Sequence, residues 1–440
     1  MLPFSYVQRA MLLNALILPA LGELPSSCLT TLTPTNSIKP SIASGYRAAL
    51  VATGLTYPRS IQFDASGNLL VVEQSTGLTS LHFDDNEGIC VSVKSQKVVV
   101  EATNVTFISL IEKYPHAHIE RSSPMAWLYR GTKIDDTLII SRGSSENVDP
   151  AAAVISSGQS QIKAFDLSNV PSGGYNFAQD GLRLGWGLRN SVGISEHPQT
   201  GGIYSVENSV DDLNRTGQDI HQNNPGDELN FHGYLNGTEY APQGSNYGYP
   251  QCVAAWDVSE IPMNSNLTVG SQFAVDVQNS TINDTYCKEQ TTGPRLTCQA
   301  HMAPDDIKFN DNGNEAWVTF RGSWDRTDPV GYKLSVIPFT NGEPVAASDN
   351  ATAVIDVLAN ADDSVCPDHC FRPVGVAFDD QGRLFMSSDA SGEIYVVVRD
   401  ETANGSNGDE GGRVSEGVRG KGMKGIVWVA LGVLVGLVVV

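Results

Sequence analysis

Arg59, Arg189, Asn190, His301 and Arg372 lie far apart in the chain, yet each stands at the front of the same kind of short phrase. Arginine presents a planar fork of N–H donors that grips a carboxylate with two bonds at once. Several such forks around one pocket need a counter-charge, because a buried cation without a partner is costly. A ligand carrying several carboxylates is the simplest source of it. Histidine adds a group that exchanges protons near neutral pH. All of this requires that the phrases bring their front residues to one place.

The phrases have the form that does so. They run from Tyr57 to Glu73, from Arg189 to Ile194 with Gly202 to Glu207, from His301 to Phe320, and from Arg372 to Met386. Each reads as a strand, a Gly-bearing turn and a second strand. Repeats of this type, tens of residues apart, predict an all-β protein, a six-bladed β-propeller with blades of about 64 residues. In a propeller the inner strands begin near the axis, so their first residues converge. Less regular blades are expected over Asn104 to Gly143, with a strand at Thr137–Ser141, and around Gln161–Phe165, whose alternation suits a half-buried strand. The polar, turn-rich stretch from Asp211 to Gly244 interrupts the repeat as an insertion.

The ends and the cysteines speak of export. Residues 1–22 read as a signal peptide, with Arg9 before an apolar run and Ala20-Leu21-Gly22 as the cleavage site. Residues 23–402 form one β-propeller domain, 403–425 a polar stalk, and 426–440 an uncharged apolar tail. That tail fits a glycolipid-anchor signal or, alternatively, a single membrane span. Eight N-x-S/T sequons, at Asn104, Asn214, Asn236, Asn266, Asn279, Asn283, Asn350 and Asn404, predict a glycosylated surface. The expected location is therefore extracellular, held to the cell surface only through the tail. Of seven cysteines, Cys366 should pair with Cys370, Cys252 with Cys287 or Cys298, and Cys28 with Cys90, leaving Cys298 over. A formal net charge of −21 argues against nucleic acid as a partner.

The densest motif is Gly185-Trp186-Gly187-Leu188-Arg189-Asn190-Ser191-Val192-Gly193. Val206-Glu207-Asn208-Ser209, Pro225-Gly226-Asp227-Glu228-Leu229-Asn230 and Gly244-Ser245-Asn246-Tyr247-Gly248-Tyr249-Pro250 follow it. With Arg321-Gly322-Ser323-Trp324-Asp325-Arg326, Gly331-Tyr332-Lys333 and Arg372-Pro373-Val374-Gly375, the chain resembles the soluble quinoprotein sugar dehydrogenases, in particular their fungal pyranose and sorbosone dehydrogenase branch. The resemblance spans residues 45 to 398.

It implies oxidation of a sugar by hydride transfer to pyrroloquinoline quinone, with Ca²⁺ as Lewis acid and a separate cytochrome or other acceptor taking the electrons. By the resemblance, Arg189 and Asn190 contact the cofactor, as do Arg321 and Arg372, with Arg59, Arg121 and His301 in the same set. Backbone carbonyls of Ser209 and Val210 match the calcium turn, where Asn208-Ser209-Val210 departs from the Gly-Pro of bacterial relatives. Asp227 and Glu228 are expected to buttress that turn. His118 is the expected general base, with His116 and His301 as alternatives. Two other functions fit the same scaffold. A calcium-dependent lactonase or esterase would need side-chain carboxylates and Asn around one axial metal. A non-enzymatic recognition module would need an exposed aromatic face without the arginines.

Overall fold

Each of the four phrases folds as an antiparallel hairpin, and its turn residues explain why. Asp64 Oδ1 accepts the N–H groups of Ser66 and Asn68, at 2.9 Å each, and Gly67 takes the left-handed φ of +77° that closes the turn. Asp379 does the same for Gln381 and Arg383, with Gly382 at φ +75°. The same turn chemistry thus recurs at two ends of the chain.

The computed structural model describes residues 39–102, 108–111, 129–400 and 436–439, apart from 87, 135, 265 and 277–280, together with 32 and 34. Among these, five antiparallel sheets follow one another in sequence, four of four strands and one of six. The first holds Pro58–Phe63, Leu69–Glu73, Gly77–Asp85 and Val91–Glu101. The second holds Tyr129–Ile134, Thr137–Arg142, Gln161–Asp166 and Leu182–Trp186. The third holds Ser191–Glu196, Gly202–Glu207, Asp227–Tyr234 and Leu296–Cys298. The fourth is led by Pro304–Phe309, Glu315–Phe320 and Lys333–Thr340, the fifth by Pro373–Phe378, Leu384–Ser388 and Glu393–Arg399. Tyr46–Ala52, from the other end of the chain, completes the fifth sheet by pairing with Glu393–Arg399.

First strands of consecutive sheets lie side by side. Pro58–Phe63 neighbours Pro373–Phe378, which neighbours Pro304–Phe309, then Ser191–Glu196, then Tyr129–Ile134. Ile108–Ile111 lies beside both Tyr129–Ile134 and Pro58–Phe63. The core sits between sheets as separate apolar layers, for example Tyr204, Leu229, Ile307 and Phe320 between the third and fourth.

Three sequence expectations change. Thr137–Arg142 and Gln161–Asp166 pair directly within one sheet, so they do not mark two blades. Five of the six residues of Gln161–Asp166 are buried, because neighbouring layers cover both faces. The Asp211–Gly244 stretch is not wholly an insertion, since Asp227–Tyr234 is the third strand of its sheet. What precedes that strand belongs to a satellite wall with its own apolar cluster, which includes Val210, Leu213, Val253 and Phe273. The wall is stapled by Cys252–Cys287, and its buried Arg215 pairs with Asp284 at 2.7 Å. Cys366–Cys370 is the second bridge and Cys298 is a buried free thiol, both as expected. Cys90 is disulfide-bonded, and its expected partner Cys28 lies outside the described residues.

Two glycines set the spacing of the first strands. A Cβ on Gly193 would lie 2.7 Å from Asp306 Cα, and one on Gly375 would lie 2.6 Å from the Arg59 carbonyl oxygen. Backbone cannot move aside as a side chain can. Gly193→Val is therefore expected to lower the unfolding free energy by at least the ~1–3 kcal/mol of an overpacked core. Gly67→Asn, which meets nothing within 4 Å, serves as the tolerated control in the same thermal unfolding series. Equal midpoints for both variants would show that the strands do not approach this closely.

Candidate functional site

A cavity of about 430 Å³ opens where the first strands begin. Arg59, Asn190 and Ala303 come from or just before those starts, and Ser209, Asp211, Arg321 and Trp324 from loops that follow second strands. The topology thus gathers residues some 260 positions apart in sequence, from Arg59 to Arg321.

The arginines already hold protein counter-charges. Arg59 donates to Asp389 at 2.7 Å and lies 3.3 Å from Asp305. Burial opposes its charged form, but Asp305 and Asp389 outweigh burial and raise its pKa. Arg321 Nε reaches the same Asp389 oxygen at 2.8 Å. Arg189 pairs with Asp211 at 2.7 Å and donates to the Asn147 side chain at 3.0 Å. The expectation that a ligand alone neutralises the cluster is therefore corrected, because aspartates share that role. Arg372 lies behind the cavity wall. It donates to the carbonyls of Arg321 and Gly322, at 3.1 and 3.0 Å, and its guanidinium covers the Tyr332 ring at 5.5 Å. Burial and the nearby Arg321 lower its pKa, so an anion there would be welcome.

His301 is placed for holding rather than for accepting a proton. Its φ is +63°, its side chain is 6% exposed, and Nε2 donates to the His221 carbonyl at 2.6 Å. Asp211 lies 3.6 Å from Nδ1 and Asp325 3.9 Å from Nε2. Burial disfavours the cation, but hydrogen bonding to Asp211 and the charge of Asp227 outweigh it and raise the pKa. Asp211, His301 and Asp325 offer ligand atoms within 4.8 Å of one another, enough to consider a metal. Ca²⁺ takes oxygen ligands, and here Asp211 is bound to Arg189 while Asp325 accepts the Asp212 N–H at 2.8 Å. The trio is a polar network in which Asp211 and Asp325 flank the imidazole. This also disfavours a lactonase, whose metal would need several free carboxylates.

The Ser209–Val210 turn offers oxygens instead. No donor among the described residues reaches either carbonyl oxygen. Asp227 holds the turn from below, accepting the Ser209 N–H at 3.0 Å and the Ala303 N–H at 2.8 Å. Burial pushes Asp227 up to about 6, against the charge of His301. Beneath Arg189, Glu207 accepts its N–H at 2.5 Å, and Asn230 donates to both Glu207 and Glu228, at 3.1 and 2.9 Å. Burial, then the charge of Glu228, raises Glu207 well above its ordinary value, and burial raises Glu228 to about 7.

Arg59, Arg189, Asn190, His301, Arg321 and Ser209 thus line one cavity, Arg372 touches its wall, and Val210 is in the apolar core beside it. His116, His118 and Arg121 lie outside the described residues. Sequence reading missed Asp211, Asp305, Asp389 and Asn147. Asp211, Asp389 and Asn147 follow second strands and so miss the repeated front position, whereas Asp305 takes the place in Pro304–Phe309 that Arg59 takes in Pro58–Phe63.

The chain matches the family model described as TrAA12-like over residues 40–112 and 121–400. It is 40% identical to a pyrroloquinoline quinone-dependent sugar dehydrogenase of Hypocrea jecorina, over 90% of this chain and 98% of that protein. It is 34% identical to a pyrroloquinoline quinone-dependent pyranose dehydrogenase of Coprinopsis cinerea, over 82% of this chain but only 54% of that longer protein. A calcium structure of the Trichoderma reesei Carbohydrate-Active Enzymes Family AA12 protein superposes with a TM-score of 0.78 at 40% identity, covering 84% of this chain and 99% of that one. The holo form of the Coprinopsis cinerea pyranose dehydrogenase PQQ domain gives 0.74 at 32% identity, covering 83% and 98%.

Proposed function

The chain belongs to the TrAA12-like family, its relatives are pyrroloquinoline quinone-dependent sugar dehydrogenases, and we propose that it is one, built as a six-bladed β-propeller. The cavity ringed by Arg59, Arg189 and Arg321, with Arg372 behind, is the observation that carries this reading. Five sheets with adjoining first strands, and Ile108–Ile111 between the first strands of the first and second sheets, support six blades. When bound, the quinone supplies the hydride acceptor, and Ca²⁺ polarises its carbonyl.

In this reading Arg189 and Asn190 orient the cofactor from one wall. Arg321 and Arg372 offer N–H donors to its carboxylates, and Arg121 adds a further contact. Arg59 acts through Asp305 and Asp389, and His301 fixes the His221 loop and Asp211. The carbonyls of Ser209 and Val210 hold the calcium, with Asp227 positioning their turn. His118 takes the proton of the sugar hydroxyl. Electrons then leave to a separate acceptor, such as a cytochrome.

Metal- and quinone-free protein should oxidise an aldose with ferricyanide or a cytochrome only after both Ca²⁺ and quinone are added. No quinone binding by calorimetry would overturn the reading, and reduction of ferricyanide alone would remove the cytochrome. Arg372→Ala should weaken quinone binding by about 1.5–3 kcal/mol, the range of a charge-assisted contact.

We also propose export, with residues 1–22 removed, 23–402 as the mature domain and 403–440 as stalk and anchor signal. The disulfides and sequons support an oxidising compartment. A phosphatidylinositol-specific phospholipase should release the enzyme from intact cells. A retained apolar tail in the mass of detergent-extracted protein would instead make 426–440 a membrane span.

A further inference from the structure

We propose that Trp324 is the stacking platform on which the sugar ring lies at the mouth of the cavity, an inference that rests on the dehydrogenase reading. Three residues lining the cavity are exposed, Ser145, Glu146 and Trp324, and the indole is by far the largest apolar surface among them. Trp324 is 66% exposed, while its neighbours Ser323 and Asp325 are 3% and 8% exposed. A large ring left in water between two buried residues has not failed to pack for want of order.

The loop around it is held from both sides. The Arg321 N–H donates to the Ala303 carbonyl at 2.8 Å and the Gly322 N–H to the Met302 carbonyl at 3.0 Å. Gly322 has φ +94°, and a Cβ there would meet the Tyr332 ring at 2.3 Å, so this close approach needs glycine. Tyr332 Oη donates to the Ser323 carbonyl, and Ser323 Oγ accepts the Val330 N–H at 3.0 Å. Beyond the tryptophan, Asp325 accepts the Asp212 N–H at 2.8 Å, and Arg326 donates to Asn223 at 3.1 Å.

Such a fixed, wet aromatic face beside polar groups matches one ligand chemistry. A pyranose presents C–H bonds on one face and hydroxyls around its edge. The indole covers the first, and Ser145 and Glu146 are at hand for the second. A rigid aromatic surface gives this contact at little entropic cost.

Trp324→Ala and Trp324→Phe, made in the full chain, test the assignment. The probe is whichever of D-glucose, D-galactose and D-mannose the natural chain oxidises fastest. Trp324→Ala should raise KM by about 5- to 30-fold, the scale of one stacking contact with its buried area. Trp324→Phe should restore most of that loss. Quinone affinity and kcat should stay within about twofold, since the ring touches the substrate in ground and transition states alike. Saturation-transfer NMR should show strong transfer to the sugar ring protons in the natural chain and loss of it in Trp324→Ala. An unchanged KM would overturn the proposal. So would a fall in quinone affinity on removing the indole, which would place the ring over the cofactor instead. If the natural chain binds no quinone, the dehydrogenase reading itself fails, a result visible before any variant is made.

Discussion

Asp389→Asn is expected to lower the unfolding free energy by about 3–5 kcal/mol at neutral pH, the cost of removing one partner from a buried ion pair. One oxygen of Asp389 receives both Arg59 at 2.7 Å and Arg321 at 2.8 Å, and the side chain is 3% exposed. The amide keeps the shape but withdraws the charge from two guanidinium groups. Arg59 retains only Asp305, at 3.3 Å. Burial opposes ionisation of Asp389, yet Arg321 and Arg59 outweigh it and hold the pKa below the ordinary value. A depressed carboxyl pKa stabilises above the unfolded value, near 4, and that stabilisation is lost as pH falls through the folded one. The two proteins should therefore differ fully at pH 7 and converge only in acid below about pH 4. Denaturant unfolding at both pH values measures this. The surface pair Lys94–Asp84, with side chains 57% and 53% exposed, provides the contrast. Lys94→Met should leave the unfolding midpoint nearly unchanged, since solvent screens an exposed pair. Equal stabilities for Asp389→Asn and the natural chain would show that this triad holds nothing together.

The hairpins, their turns and the converging arginines were legible in sequence because they repeat. The Asp-x-x-Gly and Asn-x-x-Gly turns, at Asp64, Asn310 and Asp379, announce two strands at fixed spacing. A front position repeated four times then places Arg59, Arg189 and His301 at one end of the sheets. What the repeat does not encode stayed hidden. The pairing of Thr137–Arg142 with Gln161–Asp166 crosses a loop of 18 residues, from 143 to 160, that carries no turn signal of the repeated kind. The counter-charges were invisible for a different reason. Asp211, Asp305 and Asp389 reach their arginines across 22, 246 and 330 positions, and nothing local distinguishes an aspartate that will meet a guanidinium from one that will meet water. Electrostatic balance is a property of the assembled ring. Composition gave the sign of the whole chain, −21, but not the near-balance of this cavity.

His118→Ala should lower kcat by about 10²–10⁴-fold, the span of a positioned general base, while quinone affinity changes little. The histidines among the described residues are poorly placed for this role. A base must present a neutral nitrogen to the substrate hydroxyl. His301 does not, because Nε2 is spent on the His221 carbonyl and the ring is drawn toward its cationic form by Asp211 and Asp227. His232 is buried and bonded to Ser205 at 2.7 Å, and His197 is bonded to the Gly313 carbonyl at 2.7 Å, so neither faces the cavity. His82, His221 and His369 do not line the cavity either, and the stretch with His116 and His118 lies outside the described residues, in the gap between the two matched parts of the family model. A base acts on the barrier and not on the cofactor, so the loss must fall on kcat. The ascending limb of kcat/KM against pH should vanish with the imidazole. His301→Asn should differ in kind, since it loosens the cavity wall and weakens quinone binding along with turnover. Full turnover in His118→Ala, with collapse in His116→Ala, would move the base two residues along. Collapse of kcat alone in His301→Asn would show that the imidazole held between Asp211 and Asp325 is, after all, the one that takes the proton.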